Sequence, residues 1–287
     1  MVDISINIKD NCHRFTVGET VSGNIDFRLP ETVPLKDIQI KFYCLAEVKW
    51  IEYPGTPYYL NGFVYNDKYN YLEMNYPLAE KEPSLKEIPK NQNVKIPFSF
   101  DIPNDRNLPS TMISSHGFIQ YFVKVFVKLP KEDVRKFVKE IIVESPIDDN
   151  LMITVGFAPG ESIAVHIWVE NHTSAKLVPR ISLHQTQIYM CGARHKTIET
   201  TLNNDPTVGT EINPNSDADE ILHVHVPSDE SLTIKSSVIT VKYFVHVTLD
   251  IPHSFDLHIN LPVVITSARV VEMIREQPGR KSISFSA

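Results

Sequence analysis

The stretch Phe15-Thr16-Val17-Gly18-Glu19-Thr20-Val21 returns further along the chain as Phe157-Ala158-Pro159-Gly160-Glu161-Ser162-Ile163. Gly18 and Gly160 set the shift, and under it Ile25 and Phe27 fall on Ile167 and Val169. A second block places Phe98, Phe100, Ile102, Pro103, Asp105 and Leu108 on Leu222, Val224, Val226, Pro227, Asp229 and Leu232. A third places Ile119, Tyr121, Val123 and Val125 on Val241, Tyr243, Val245 and Val247. The blocks keep their order, which is the signature of two copies of one folding unit. The shift shrinks by about 18 residues between the first and second blocks, so the first copy carries that extra length within 51–92.

Each block alternates with period two, as a strand with one buried face does. The longest run is Ile38, Ile40, Phe42, Cys44, Ala46, Val48 and Trp50, with Gln39, Lys41, Tyr43, Glu47 and Lys49 on the other face. No strong helical period precedes residue 266. Prolines outnumber glycines by 20 to 10, and Pro30, Pro103, Pro130, Pro227 and Pro252 stand where strands should stop. The expected fold is all-β, two tandem antiparallel immunoglobulin-like sandwiches. The expected domains are residues 1–146 and 147–267, followed by a short flexible tail over 268–287.

Cys12, Cys44 and Cys191 are odd in number and widely spaced, which suits a reducing compartment. Cys44 lies in the inward register and reads as a small core side chain. The start of the chain alternates too early and is too acidic for a signal peptide. No apolar run is long enough to span a membrane, so a soluble cytosolic protein is expected. The net charge is −7, and the acidic excess lies in the second half. A nucleic-acid binder needs a concentrated basic surface and is not expected. In the first half Lys41 and Lys49 share one strand face, and Lys124 and Lys128 share another. If those strands are neighbours, the four lysines form a patch able to meet phosphorylated tails or an anionic membrane surface. The competing reading is a solvated face that resists edge aggregation.

The residues of the repeat also carry a family resemblance. Gly18-Glu19-Thr20-Val21-Ser22-Gly23 opens a strand, Val48-Lys49-Trp50 ends one, and Ile96-Pro97-Phe98-Ser99-Phe100-Asp101-Ile102-Pro103 follows. Then come Leu108-Pro109-Ser110-Thr111 and His116-Gly117-Phe118-Ile119-Gln120-Tyr121. This succession resembles the N-terminal domain of the α-arrestins. Pro159-Gly160-Glu161-Ser162-Ile163 with Val169-Glu170-Asn171 is similar to the start of their C-terminal domain. Val241-Lys242-Tyr243-Phe244-Val245-His246-Val247 and Leu261-Pro262-Val263-Val264-Ile265 are similar to its end.

The resemblance implies an arrestin fold and a non-enzymatic adaptor. It would be cytoplasmic, bind membrane-protein cargo, and be recruited to plasma membrane or endosomes for endocytic or ubiquitin-linked sorting. Family members reach ubiquitin ligases through Pro-Pro-x-Tyr motifs in a C-terminal tail. This sequence has no Pro-Pro pair, so ligase machinery is expected only indirectly, for example through other arrestin-domain proteins. One α-arrestin forms a mixed disulfide with thioredoxin through a cysteine that would stand at Ser236 here, so that partner is not implied. An alternative is a retromer-like coat subunit with the same fold.

Seven of the eleven tyrosines lie between Tyr53 and Tyr76, in the region of extra length. In arrestins the matching stretch includes loops that touch cargo. Tyrosine gives large contact area at low entropic cost, so Tyr58, Tyr59, Tyr65 and Tyr69 are candidate contact residues beside the four lysines. The rings could equally pack back on their own sandwich.

His223 and His225 share a strand face with acidic residues upstream. The repeat aligns them with Ser99 and Asp101, on the polar face, so no metal site is expected. The scan finds no nucleophile elbow, phosphate loop or metal motif, and neither catalytic residues nor a cofactor are expected. Glu19 and Glu161 recur at equivalent turns, which points to a structural role.

Overall fold

The computed structural model describes residues 2–53, 62–104, 107–130, 132–145 and 156–275. The chain divides into two compact units, residues 1–145 and 146–287.

The first unit contains β1 (Asp3–Ile8), β2 (Arg14–Thr16), β3 (Thr20–Arg28), β4 (Ile38–Glu52), β5 (Phe63–Asn75), β6 (Asn93–Asp101), β7 (Gly117–Val127) and β8 (Arg135–Glu144). One sheet has the order β1-β3-β6 and the other β2-β8-β7-β4-β5, with Met112–Ile113 bridging to β7. The alternation of β4 fixes its orientation. Ile38, Ile40, Phe42, Cys44, Ala46, Val48 and Trp50 are all buried, while Gln39 and Lys49 are exposed. Phe42 stacks on Phe100 across the sandwich, with centroids 5.6 Å apart. Burial pushes the Cys44 thiol up to about 12, so it stays a protonated core side chain.

The second unit contains β9 (Gly156–Phe157), β10 (Ser162–Asn171), β11 (Val178–Cys191), β12 (Arg194–Thr201), β13 (Ser216–His225), β14 (Ile239–Asp250) and β15 (Leu257–Ile265). Its large sheet has the order β9-β15-β14-β11-β12, and β10 pairs with β13 alone among the described residues. Apart from β2 with β8 and β9 with β15, which are parallel, the strand pairs are antiparallel. In both units the first strand of the large sheet thus lies beside its last.

The repeat extends to individual hydrogen bonds. Gly18 and Gly160 both take positive φ, 87° and 89°. In the first unit the Thr16 N–H donates to Glu19 Oε2 at 2.7 Å, and in the second the Ala158 N–H donates to Glu161 Oε2 at 2.8 Å. These carboxylates close the turns into β3 and β10, the structural role expected from their recurrence. Tyr121 donates its hydroxyl to the Pro109 carbonyl, and Tyr243 to that of Ser231. Thr111 and Thr233 accept the N–H of Val143 and Ile265 respectively.

The extra length of the first copy lies in the β4–β5 hairpin. Glu52 pairs with Phe63 across a long connection, whereas Cys191 and Arg194 flank a two-residue turn containing Gly192 at φ 57°. At the far end of the chain, residues 268–275, expected to begin a flexible tail, form a helix, Ala268–Arg275. Val270 and Val271 are buried, and Arg275 makes a two-bond contact with Glu161 at 2.7 and 3.0 Å. The spacing of Val270, Val271, Met273 and Ile274 is helical, so this helix was within reach of the sequence.

Candidate functional site

The outer face of the first unit's large sheet carries the predicted lysines. Register places Lys41 directly opposite Lys124, and Tyr43 opposite both Phe122 and Glu73. Lys41 Nζ lies 2.8 Å from Glu73 Oε1, and the Tyr43 hydroxyl donates to the same oxygen at 3.1 Å. The hydrogen bond to Glu73 raises the Lys41 pKa, and the hydrogen bond from Lys41 holds the Glu73 carboxyl below its usual range. Lys41 is therefore neutralised within the chain.

Lys124 is different. Its ammonium sits 4.5 Å from the Phe122 ring centroid and 4.6 Å from that of Tyr43, a cation held between two aromatic faces. No carboxylate forms a salt bridge with it among the described residues. Burial lowers its pKa first, and the Lys136 charge lowers it further. The Glu73 charge opposes both, and an anion brought to this face would oppose them further by direct attraction.

The four lysines do not form one patch. Lys49 is exposed, faces Asn66 on β5, and lies roughly 26 Å along β4 from Lys41 by strand rise. Lys128 is exposed beyond the other end of β7, where its N–H bonds to the Asp37 carbonyl. Only Lys41 and Lys124 meet.

The tyrosines also divide. Tyr65 stacks on Trp50 with centroids 5.2 Å apart, packed back onto its own sheet. Tyr69 is 47 % exposed and meets Tyr71 edge-on at 4.6 Å. Tyr71 is the extra residue of a bulge opposite Cys44 and Leu45, which kinks the edge strand β5. Tyr58 and Tyr59 lie outside the described residues.

Sequence reasoning missed the apolar tip of this hairpin. Ile51, Tyr53, Phe63 and Val64 are all exposed, and Ile51 and Val64 are cross-strand partners. A Cβ on Gly62 would run into the Ile51 side chain, which would have to shift to admit it. The signal was available: outward alternation along β4 already put Ile51 on the polar face.

The matching face of the second unit carries histidines, which were also missed. His184 on β11, His246 on β14 and His258 on β15 form a row, with ring centroids 5.4 and 5.1 Å apart. Their ring nitrogens engage Ser182, Thr201, Asn260 and Thr248. Burial lowers the His184 pKa, and His246 lowers it further. The adjacent His246 and His258 rings are stacked and do not converge on a point, and among the described residues no group of three or more metal-ligating side chains could hold an ion. His223 and His225 are exposed on β13. Ser236, at the position of the thioredoxin-linked cysteine, donates to the Ile239 carbonyl at 2.6 Å, as Ser114 does to Gly117 in the first unit. It is a turn residue in both copies.

Comparison with known proteins matches this architecture. Residues 2–150 match the family model "Arrestin (or S-antigen), N-terminal domain", and residues 153–270 match the corresponding C-terminal domain. Arrestin domain-containing protein 4 of Mus musculus is 24% identical over 88% of this chain and 68% of its own length. The Homo sapiens protein of that name shows the same identity and coverage. Thioredoxin-interacting protein of Sus scrofa is 22% identical over 87% of this chain and 70% of its own. Among the described residues no helix is long and apolar enough to cross a membrane.

Proposed function

The chain belongs to the arrestin family, and from that premise we propose that it is an adaptor that ties membrane-protein cargo to endocytic or ubiquitin-linked sorting. It works from the cytoplasm and is drawn to plasma membrane or endosomes by its cargo. The observation that carries the reading is the β4–β5 hairpin. One sheet presents an apolar tip (Ile51, Tyr53, Phe63, Val64) and, on its outer face, the Lys124 ammonium, which has no salt bridge among the described residues. Apolar anchors at the tip and a cation roughly 33 Å away along β4 by strand rise suit an extended cytosolic tail that carries aromatic or aliphatic residues and, about ten residues from them, an acidic or phosphorylated group. Lys41 borders that surface, Tyr65 and Tyr69 stand on the sheet's other face opposite Trp50 and Ala46, and Lys49 and Lys128 extend it toward the two ends of the sheet. Tyr58 and Tyr59 belong to the connection between its strands.

Proximity labelling in cells tests this with the intact chain and a Phe63→Ser, Val64→Ser double variant. Both positions are more than half exposed, so the variant is expected to melt as the intact chain does. The expected result is labelling of transmembrane receptors or transporters that the variant loses. A fixed set of soluble coat subunits, labelled equally by both proteins, would overturn the reading.

A further inference from the structure

The small sheet of the second unit turns a different kind of face to solvent. Along β10, Ile163 and Val165 are buried, which leaves Ser162, Ala164, His166, Trp168 and Glu170 outside. The facing residues of β13 are His225, His223, Ile221, Asp219 and Asp217, paired one to one. Trp168 is 63 % exposed and Ile221 is 59 % exposed. No ring contact or hydrogen bond engages the indole among the described residues. Asp219 pairs with His166, and Glu170 lies 3.3 Å from His172. Neither strand carries a lysine or arginine.

The fold itself does not call for this tryptophan. The repeat sets Asp26 and Lys95 of the first unit at the positions of Trp168 and Asp219. There the two are cross-strand partners and form an ion pair at 3.7 Å. The same strand pairing is thus made with an aspartate where the second unit has an exposed indole. The cation opposite has become a third outward carboxylate beside Asp217 and Glu170.

An indole rimmed by carboxylates is matched to a guanidinium. The ring face attracts a cation, the carboxylates accept charge-assisted hydrogen bonds in pairs, and Ile221 offers an apolar footing for the aliphatic stem. Tryptophan and arginine are also the side chains over-represented where binding energy concentrates. We infer that this face docks an arginine-containing basic segment of a partner protein. The source is the cytoplasmic flank of a membrane-spanning segment, where lysine and arginine are in excess. That source rests on the adaptor reading above, whereas the docking chemistry stands without it.

The chain has two tryptophans, and Trp50 is buried. Both emit, but Trp50 is shielded from a docked segment, so a change in emission on binding that Trp168→Ser abolishes reports on Trp168. The full chain is titrated with a short fluorescein-labelled peptide of alternating arginine and serine, following anisotropy, and with its unlabelled form, following tryptophan emission. The expected result is saturable binding with a change in tryptophan emission, and no binding of the glutamate–serine peptide. Trp168→Ser, and separately Asp217→Asn with Asp219→Asn, are expected to weaken binding by roughly tenfold or more. Lys90→Gln, an exposed position of the first unit outside both surfaces, is expected to leave it unchanged. No binding by the intact chain, or equal binding by the Trp168 and aspartate variants, overturns the inference. If the intact chain labels no transmembrane proteins in cells, the adaptor reading falls and this result stands.

Discussion

In the first unit the Tyr121 hydroxyl reaches the Pro109 carbonyl, and in the second Tyr243 reaches Ser231 at the equivalent place. On the outer faces the correspondence is partial: Phe122 opposite Tyr43 becomes Phe244 opposite His184. Asp26 and Lys95 stand where Trp168 and Asp219 stand, and Lys124 between two rings has its counterpart in a row of histidines. The core differs as well. Cys44 faces Tyr121 in the first unit, while Gln185 takes that place in the second. Gln185 donates to the Tyr243 hydroxyl at 2.6 Å and to Glu230 at 2.7 Å, and burial raises the Glu230 pKa. What the two copies share is what the sandwich needs to close: turn carboxylates, positive-φ glycines and tyrosine latches. Much of what they do not share faces solvent, and that is where partner recognition can differ between units.

The largest test of this division is in the cores. Phe42→Ala removes a fully buried ring and is expected to cost about 3–5 kcal/mol. Leu183→Ala, at the equivalent place on β11, is expected to cost about 2–5 kcal/mol. Calorimetry should show each substitution lowering one thermal transition and sparing the other. Both transitions moving together would mean that the units do not hold separate cores.

Gly18→Ala and Gly160→Ala come next. A Cβ at either place meets only ordinary contacts or open space, so the cost is the left-handed backbone alone, about 1–2 kcal/mol in each. Matching losses in urea unfolding would sharpen the equivalence of the turns. Tyr121→Phe should cost about 1 kcal/mol. Tyr243→Phe should cost more, because it also leaves Gln185 without one of its acceptors. Equal losses would show that the Gln185 network adds nothing.

The smallest expected effect depends on pH. The folded-state pKa of His184 lies below its ordinary value, so the unfolded chain takes up this proton first as pH falls. Its contribution is complete above the unfolded value of 6.5 and is lost as pH drops through and below it. His184→Gln should flatten the fall in melting temperature between pH 7 and 5.5 relative to the intact chain. An unchanged slope would remove His184 as a source of it.

The fold was legible because strand alternation and the internal repeat are local signals. The inward set of β4, the hairpin with the extra length, and the turn role of Glu19 and Glu161 all followed from spacing. The surface was legible only in pieces. That Lys41 meets Lys124 but not Lys49 depends on register between strands distant in sequence, which alternation does not set. The row His184, His246 and His258 draws one residue from each of three strands, and no spacing announces it. Trp168 was within reach. Alternation of Ile163, Val165, Ile167 and Val169 placed it on the outer face, in the slot of Asp26, before any coordinates.

The parallel pairing of first and last strands has a mechanical consequence. Arg14–Thr16 lies along Ile142–Glu144, and the Arg14–Glu144 ion pair ties the two. In the second unit Gly156 and Phe157 lie along Val264 and Ile265. A pull that reaches the first strand from its N-terminal side and the last from its C-terminal side drags the two past each other along their length. The hydrogen bonds of the pair are then loaded together in shear, rather than peeled one at a time, so each unit resists traction along the chain better than its short strands suggest.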